Sequence, residues 1–362
     1  MKFIDEYRDP QLAQGLLARI RATAERIAGT VTLMEICGSH TYAVGRFGIR
    51  KILPENIRLI SGPGCPVCVT SAADVDRALW LASRRDVIFA TFGDMLRVPG
   101  SGGESLQKKR AAGADIRVIT SAAECIGMAA ANTDREIVLM GIGFETTAPT
   151  VAAAVESCRK KSLHNLSVFS VHKTVPQVLR ALIADPALRI DGFICPGHVS
   201  TIIGSEAYQI IPGSGKAAAI MGFEPVDILH GLWMILEQIA EGRKEVAIQY
   251  RRGVSPKGNP KAKEVLETVF RPADAEWRGM GIIPGSGLAL RDDRDRFDAA
   301  KKYDIPAFCS EDPPGCGCGN VLRGIRTPHD CPLFRKYCTP ANPVGPCMVS
   351  SEGTCAAYYK FY

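Results

Sequence analysis

The 362-residue sequence has no apolar run of the length, about 18 residues, that a membrane-spanning helix needs. Its first ten residues, Met1 to Pro10, are charged and lack the apolar core of a secretory signal. Charge of one sign is not in large excess either, because the formal net charge is only +6. The basic residues are scattered except in a Pro/Gly-containing stretch at 251–263. We therefore expect a cytoplasmic protein with neither a membrane nor a nucleic acid as partner.

Complete phosphate-binding motifs are also missing. Gly141-Ile-Gly143 lacks the third glycine of a dinucleotide fingerprint, which would fall at Thr146. Gly215-Lys216 is followed by Ala217, where a P-loop needs Ser or Thr for its metal ion. The sequence therefore does not favour a nucleotide-binding protein.

Cysteine, in contrast, is abundant, with 13 residues in the chain. The cytoplasm keeps thiols reduced, so this number favours metal binding or cycling redox chemistry over structural disulfides. Turn-forming proline and glycine surround the C-terminal cysteines, which leaves little room for long helices or strands there. A zinc ion or an iron–sulfur cluster would stabilise such a segment. Seven cysteines lie in the last 54 residues: Cys309, Cys316, Cys318, Cys331, Cys338, Cys347 and Cys355.

Before this segment, short apolar runs alternate with helical patterns, which is typical of parallel α/β sheets. A capped amphipathic helix is predicted first, from Asp9-Pro10 to a stop at Gly29. The predicted strands are Val31 to Ile36, Ile57 to Ser61, Val87 to Thr91, Ile116 to Thr120, Ile137 to Gly141, Leu166 to Val171, Phe193 to Cys195 and Ala217 to Met221.

The predicted fold class is α/β, with two similar doubly wound parallel-sheet domains facing a cleft and a largely irregular or helical C-terminal domain, which is an iron–sulfur domain if its cysteines hold a cluster and not zinc. We expect an N-terminal helix at 1–30 that packs on the C-terminal region, a first α/β domain at 31–132, a second at 133–234, and a third region at 235–362. Loops at the carboxyl ends of the strands would line the cleft. The hexapeptide Ile-Ile-Pro-Gly-Ser-Gly occurs at 210–215 and at 282–287. We predict two similar tight turns there.

Two motifs directly follow predicted strands of the first domain. In the first, Cys37 and His40 are three residues apart on a turn, so that they are able to share a metal or form a thiolate–imidazole pair. In the second, Cys65-Pro-Val-Cys68 has a spacing that allows a disulfide or a shared metal. An inert, buried cysteine remains the alternative for Cys37.

A third motif, Cys316-Gly-Cys318, places two sulfurs one residue apart, where side chains tend to point in different directions. One sulfur is then able to bind a cluster while the other stays free to react. Seven cysteines allow many choices of four ligands, so spacing alone leaves both zinc and an iron–sulfur cluster open.

Together these motifs resemble the HypD family of [NiFe]-hydrogenase maturation factors, over essentially the whole chain. The matching segments are Cys37-Gly-Ser-His40-Thr, Gly62-Pro-Gly-Cys65-Pro-Val-Cys68, Gly143-Phe-Glu-Thr-Thr-Ala-Pro149, Pro196-Gly-His198-Val, and the cysteine-containing runs from Gly315 to Cys355.

The resemblance implies a cytoplasmic scaffold on which the Fe(CN)₂CO group of [NiFe] hydrogenase is assembled. It implies a small partner of the HypC type, a cyanide donor of the HypE type, and an iron ion held at Cys37 with His40 nearby. It also implies a [4Fe-4S] cluster on Cys316, Cys331, Cys338 and Cys355.

In this interpretation Cys318 and Cys347 form a redox-active disulfide beside the cluster. Electrons pass from the cluster through that pair to Cys65 and Cys68, which act as a redox pair or as further iron ligands, and then to iron at Cys37 and His40. Whether such a scaffold turns over as an independent enzyme is left open.

Glu145, His198 and Asp94 are further candidates for lining the cleft. Two rival functions also remain, namely a stand-alone iron–sulfur disulfide reductase and a zinc-stabilised interaction protein.

Overall fold

The computed structural model describes residues 4–308 and 310–362, so Cys309 lies outside the described residues. The strands are β1 (Val31–Glu35), β2 (Ile57–Ser61), β3 (Val87–Phe92), β4 (Ile116–Ile119), β5 (Glu136–Gly141), β6 (Leu166–Ser170), β7 (Gly192–Pro196), β8 (Ala217–Met221), β9 (Val246–Ile248), β10 (Phe270–Trp277) and β11 (Gly281–Leu290).

The helices are α1 (Pro10–Glu25), α2 (Gly38–Arg46), α3 (Ile49–Ile52), α4 (Pro66–Val69), α5 (Ala72–Ala82), α6 (Leu106–Ala111), α7 (Glu124–Ala131), α8 (Ala148–Lys160), α9 (Val175–Ala184), α10 (Gly197–Ile203), α11 (Ile210–Gly213), α12 (Pro225–Ala240), α13 (Pro260–Val269), α14 (Ala299–Lys302), α15 (Cys318–Leu322) and α16 (Thr354–Phe361). Within the described ranges, none of them combines the length and apolar character needed to cross a bilayer.

The eight strands predicted from apolar runs are β1 to β8, and their bounds agree within a residue or two. The predicted first helix is also present. Its N-cap is Asp9, whose carboxylate accepts from the N–H groups of Gln11 (2.8 Å) and Leu12 (2.9 Å). Helix α1 packs along α12, whereas the prediction placed it on the C-terminal region.

The strands form two parallel sheets and one antiparallel hairpin, β10–β11. The five-stranded sheet has the order β2-β1-β7-β8-β9, and the four-stranded sheet has the order β4-β3-β5-β6. The α/β class with two parallel sheets and an irregular C-terminal region is thus confirmed.

The predicted ranges 31–132 and 133–234, however, do not each form one sheet. Strand β1 pairs with β2 on one side and with β7 on the other, so the first sheet combines strands from both ranges. The four-stranded sheet is formed entirely by the chain between β2 and β7.

Both parallel sheets contribute one face to a shared apolar core. In this core, Met34 and Phe193 come from the five-stranded sheet, and Phe89 and Met140 come from the four-stranded sheet. Buried residues of the cysteine-rich segment, Cys318 and Cys347 among them, belong to the same core. The C-terminal segment is therefore packed against both sheets and is not an appended unit.

The repeated hexapeptide takes two different conformations. Its first copy begins α11, Ile210–Gly213, where Ile211 is buried. Its second copy lies in strand β11, where Ile283 is buried and Ile282 is 71% exposed. The prediction of two similar turns is wrong, because tertiary pairing with β10 determines the conformation of the second copy.

Candidate functional site

Cys37 lies where β1 ends and α2 begins, and it is the N-cap of that helix. The N–H of Gly38 donates to the carbonyl of Gly64 at 2.9 Å, which joins the Cys37 turn to the loop before Cys65. A Cβ on Gly64 would stand 2.6 Å from the carbonyl carbon of Cys37, so only glycine permits this approach. The two motifs that were separate in sequence are therefore in backbone contact.

Glu352 supplies an acidic neighbour for Cys37. The hydroxyl of Ser39 donates to Oε1 of Glu352 at 2.5 Å, at the start of α2. Burial, and after it the charge of Glu352, raises the pKa of the Cys37 thiol to about 11. Burial and the charge of Asp94 in turn raise the pKa of Glu352. Cys37 is therefore a protonated thiol near neutral pH in the absence of a bound cation, and the candidate Asp94 lies near its acidic neighbour.

His40 is fully buried and does not lie open at the mouth of the sheet. Its Nε2 is 2.9 Å from the carbonyl oxygen of Gly222 and 3.2 Å from that of Met221, so this nitrogen carries the hydrogen. Burial lowers the pKa of His40 to about 4, which keeps the ring neutral. Its Nδ1 is buried and has no hydrogen-bond partner among the described residues. His40 thus presents one free imidazole lone pair.

Cys65 and Cys68 form a disulfide, and both are buried. Cys65 is the N-cap of α4, and its sulfur accepts from the N–H of Cys68 at 3.2 Å. The spacing allowed a disulfide or a shared metal. The structure contains the disulfide, which is the oxidised form of a redox pair. Direct iron ligation by either sulfur would require that the disulfide first be reduced.

The cysteine-rich segment brings two of its sulfurs into contact. The sulfurs of Cys318 and Cys347 are 2.9 Å apart, and both are free thiols. A Cβ on Gly345 would lie 2.8 Å from the Cys316 sulfur, and one on Gly317 would lie 3.6 Å from the Cys331 sulfur. Gly345 therefore allows the backbone to pass close to the Cys316 sulfur, whereas a Cβ on Gly317 would make only ordinary contact with the Cys331 sulfur.

The remaining two cysteines of this segment, Cys338 and Cys355, are also buried against it. The sulfur of Cys338 accepts from the N–H of Val344 at 3.3 Å, and burial raises its pKa, with a further contribution from Cys355. Hydrogen bonds with Cys316 and Cys347 lower the pKa of Cys318 well below its usual range, and the charge of Arg278 acts in the same direction.

The choice between zinc and a cluster depends on how closely these sulfurs approach one another. Among the described residues no three cysteine, histidine or acidic side chains converge as they would around a single ion. A tetrahedral zinc site requires four ligands around one ion, whereas a four-iron cluster takes one thiolate per iron and therefore a wider set. The donor set is all sulfur and partly buried, which suits thiolate ligation of a cluster or of zinc.

One contact links the buried disulfide to the cysteine-rich segment. The sulfur of Cys68 is 4.0 Å from the carbonyl oxygen of Pro346, the residue directly before Cys347. The structure thus brings the Cys65–Cys68 pair, the Cys318–Cys347 pair and the Cys37 turn into one continuous region.

A groove of about 990 Å³ opens beside the start of α2. The candidate His198 is exposed in it and packs on Phe223 with ring centroids 4.2 Å apart. Phe223 stacks on His40 at 4.5 Å, so the groove wall covers the buried histidine. The groove has apolar, acidic and basic lining residues, which include Tyr42, Met348, Tyr359, Glu352, Arg46 and Lys360.

Glu145 lies in the interior, after the end of β5. Its Oε1 accepts from the N–H of Val175 at 2.9 Å, and its Oε2 is buried without a partner among the described residues. Burial raises the pKa of Glu145 to about 7. This candidate is therefore a buried carboxyl that keeps its proton to a higher pH than an exposed glutamate, and not a surface group.

Two residues that the sequence did not single out prove central. Glu352 contacts the Cys37 turn from 313 residues away in sequence, and Arg278 joins the end of α4 to the cysteine-rich segment. Neither residue lies in a motif of its own. The sequence signal available for Glu352 was its position between Cys347 and Cys355.

The chain matches known proteins over its full length. A family model named HypD, with the description "Hydrogenase formation hypA family", matches residues 11–362. The hydrogenase maturation factor HypD of Azotobacter vinelandii is 46% identical over 368 residues, which cover 100% of this chain and 97% of the relative.

Two further relatives match over similar lengths. The hydrogenase maturation factor HypD of Cupriavidus necator is 44% identical over 370 residues, with 100% of this chain and 97% of the relative covered. A putative hydrogenase expression/formation protein of Methanocaldococcus jannaschii is 42% identical over 354 residues, with 98% of each chain covered. The chain therefore belongs to the HypD family of hydrogenase maturation factors.

Proposed function

We propose that this protein is the scaffold on which the Fe(CN)₂CO group of [NiFe] hydrogenase is assembled, in complex with a HypC-type partner and with cyanide from a HypE-type donor. The observation that most supports this is the contact between the Cys37 turn and the Cys65 loop, through Gly38 and Gly64. It places a single thiol suitable for metal binding beside a disulfide suitable for two-electron chemistry. Family membership gives the hydrogenase context.

Cys37 would hold the incoming iron, which is the cargo, together with a thiolate from the partner. Because burial and Glu352 raise the pKa of Cys37, the free thiol keeps its proton until a cation arrives. Iron binding then stabilises the thiolate and releases that proton. The carboxylate of Glu352, hydrogen-bonded to Ser39 at the same helix start, is suited to accept it. The Nδ1 lone pair of the neutral His40, in the same helix, would be a second ligand for the iron.

The Cys65–Cys68 pair would supply the electrons that release cyanide. In its reduced form, one thiolate attacks the sulfur of a protein-bound thiocyanate, R–S–C≡N, and cyanide leaves with the bonding electron pair. The second thiol then resolves the mixed disulfide, which regenerates R–SH and the Cys65–Cys68 disulfide. The pair is thereby oxidised by two electrons, and cyanide is free to bind the iron at Cys37. In this proposal the Cys65–Cys68 disulfide would be the state after the step.

Cys318 and Cys347 would return the Cys65–Cys68 pair to its reduced form. Their sulfurs are 2.9 Å apart, so one is able to attack a disulfide and the other to resolve the product. The contact between Cys68 and Pro346 brings the two pairs to adjacent positions. Both pairs are largely buried, which protects the exchange from outside thiols and oxidants.

A [4Fe-4S] cluster would be held by Cys316, Cys331, Cys338 and Cys355. The N–H of Val344 that donates to Cys338 is the type of hydrogen bond that tunes a cluster ligand. When bound, such a cluster supplies single electrons for reduction of a neighbouring disulfide.

The groove beside α2 would receive the small partner. Ser39 and Glu352 line one part of it, so a chain end inserted there comes close to Cys37. Its apolar residues, such as Phe223, Met348 and Tyr359, suit a protein surface. The stand-alone disulfide reductase is less well supported, because the full-length relatives are named as hydrogenase maturation factors.

The experiment is co-purification of this protein with its HypC-type partner, followed by infrared spectroscopy of the complex. We expect cyanide and carbonyl stretching bands in the wild-type complex and their loss in Cys37→Ser, with the fold and bound iron–sulfur content retained. Cys158→Ala is the matched control, because Cys158 is a buried thiol in a separate core cluster. A Cys37→Ser complex that still shows the bands and delivers iron to a hydrogenase precursor would move the assembly site elsewhere.

A further inference from the structure

Arg278 is a buried arginine in the turn between β10 and β11, with a side chain that is 1% exposed. Its backbone N–H donates to the carbonyl of Val69 at 2.9 Å, and its Nε donates to the carbonyl of Thr70 at 3.0 Å. Val69 is the last residue of α4, the one-turn helix that contains Cys68. Arg278 therefore holds the C-terminal end of the Cys65–Cys68 turn through two hydrogen bonds.

The same residue also contacts the cysteine-rich segment. Its Nη1 forms an ion pair with Oδ1 of Asp312, four residues before Cys316. The next residue, Gly279, packs against Gly319, which follows Cys318. A Cβ on Gly319 would lie 2.8 Å from the Cα of Gly279. One side chain and its neighbour thus connect the two cysteine pairs.

The guanidinium has one nitrogen to spare. Nη2 is buried and has no hydrogen-bond partner among the described residues. Buried polar groups are nearly always paired, and an unpaired donor on a charged group is especially costly. An unpaired N–H on a residue that contacts the segments beside both cysteine pairs therefore indicates an acceptor that is present in another state of the protein.

We propose that Arg278 is a positioning residue for thiol–disulfide exchange between the Cys318–Cys347 and Cys65–Cys68 pairs, with Nη2 donating to the sulfur that leaves as a thiolate. The proposal rests on the exchange described above and adds to it the residue that aligns the two pairs. Arginine suits this role because its planar fork is able to bind Asp312, Thr70 and a sulfur at the same time, whereas lysine is a single charged centre.

The exchange is balanced within the chain. One thiolate of the Cys318–Cys347 pair attacks a sulfur of the Cys65–Cys68 disulfide; that bond breaks, a mixed disulfide forms, and the departing sulfur carries the electron pair. The second thiol then attacks the mixed disulfide. The Cys65–Cys68 pair ends as two thiols, the Cys318–Cys347 pair ends as a disulfide, and two electrons and two protons have been transferred.

The test follows disulfide exchange in the full-length protein under anaerobic conditions. Fully oxidised protein receives one equivalent of a phosphine reductant, samples are quenched by alkylation over time, and mass spectrometry locates the remaining disulfide. Arg278→Gln removes the charge and the fork, and Arg278→Lys keeps the charge alone. Arg294→Gln is the control, because Arg294 is a mostly buried arginine paired with Glu156 at 2.8 Å in another part of the protein.

We expect Arg278→Gln to slow exchange between the pairs on the order of tenfold or more, in line with the loss of a charge-assisted hydrogen bond. Arg278→Lys should recover part of the rate, and Arg294→Gln should behave as wild type at an equal melting temperature. If Arg278→Gln does not fold, Asp312→Asn replaces it, since it releases the guanidinium without removing it and should also slow exchange.

Three results would each overturn the proposal, and they show whether the role of Arg278 or the exchange itself is wrong. Wild-type rates in folded Arg278→Gln, or in folded Asp312→Asn where it replaces that variant, would overturn the role of Arg278 alone. Equal slowing in Arg294→Gln would show a general loss of rigidity and overturn it as well. If the wild-type protein shows no exchange between the two pairs, the exchange itself is wrong, and the proposal for Arg278 is overturned with it.

Discussion

Replacing Gly64 by alanine tests the contact between the Cys37 turn and the Cys65 loop directly. The new Cβ would collide with the backbone N and Cα of Cys37 and would stand 2.6 Å from its carbonyl carbon, where ordinary contact begins at 3.4 Å, so the two backbones must separate by at least about 0.8 Å. The atoms in the way are backbone and cannot rotate aside. Overpacking of this kind costs about 1–3 kcal/mol, and the 2.9 Å bond between Gly38 and Gly64 is stretched as well.

Two measurements check the Gly64→Ala prediction. Urea unfolding should show a free energy of unfolding lower by about 1–3 kcal/mol with an unchanged dependence on denaturant. The complex with the HypC-type partner should show weaker cyanide and carbonyl bands, because Cys37 no longer faces the Cys65–Cys68 pair in the same geometry. Gly127→Ala is the matched control, since Gly127 is exposed within α7 and a Cβ there meets no atom within 4 Å.

The control variant, Gly127→Ala, is expected to change the free energy of unfolding in the opposite direction. Alanine in place of an exposed helix glycine should raise stability by roughly 0.5–1 kcal/mol and leave the infrared bands unchanged. If Gly64→Ala were as stable as wild type and its complex showed equally strong cyanide and carbonyl bands, the close approach of the Cys37 turn and the Cys65 loop would not be needed for function.

Three further predictions concern the buried acid and the cysteines. The pKa of Glu145 is raised by burial from 4.5 to about 7; because the native state binds that proton more tightly than the unfolded chain, the free energy of unfolding should fall by up to about 3 kcal/mol as the pH rises from about 4.5 to about 7. Glu145→Gln should remove this decrease in urea titrations at several pH values, and an unchanged slope would refute the assignment. Cys331→Ala should lower the iron and sulfide content of anaerobically purified protein while Cys158→Ala should not, and full cluster occupancy in Cys331→Ala would rule that ligand out. In air-oxidised, unreduced protein, Cys318 and Cys347 should both resist alkylation, and two freely alkylated thiols there would contradict their pairing.

Local sequence patterns were sufficient to place the strands and the functional loops. Apolar runs followed by Cys37 and by Cys65 became β1 and β2, because short β-branched segments flanked by glycine and proline have few other conformations available. Cys37 and His40 were expected on a turn, whereas in the structure Cys37 caps helix α2 and His40 lies within that helix. What a strand pairs with is not local, so β1 was expected to belong to a contiguous domain and instead pairs with β7.

The chemical surroundings of each site residue depended on distant segments. His40 was expected at an open edge, but the carbonyls of Met221 and Gly222 and the ring of Phe223 enclose it. Glu352 escaped notice for the same reason, since its contact with Ser39 spans most of the chain. The hexapeptide that forms α11 in one place and part of β11 in another shows the same limit in a single stretch of identical residues.

The interleaved order of the sheets has a consequence for synthesis of the chain. The four-stranded sheet is complete once residue 170 has been made, because its strands follow one another without interruption. The five-stranded sheet starts with β1 and β2, but the free edge of β1 waits for β7, which ends at residue 196, and the sheet is complete only when β9 has emerged at residue 248. Such long-range parallel pairing is slow and leaves an edge open to aggregation. We expect the segment around residues 84–172 to become protected from protease first during translation, and the Cys37 and Cys65 loops to reach their final positions only near the end.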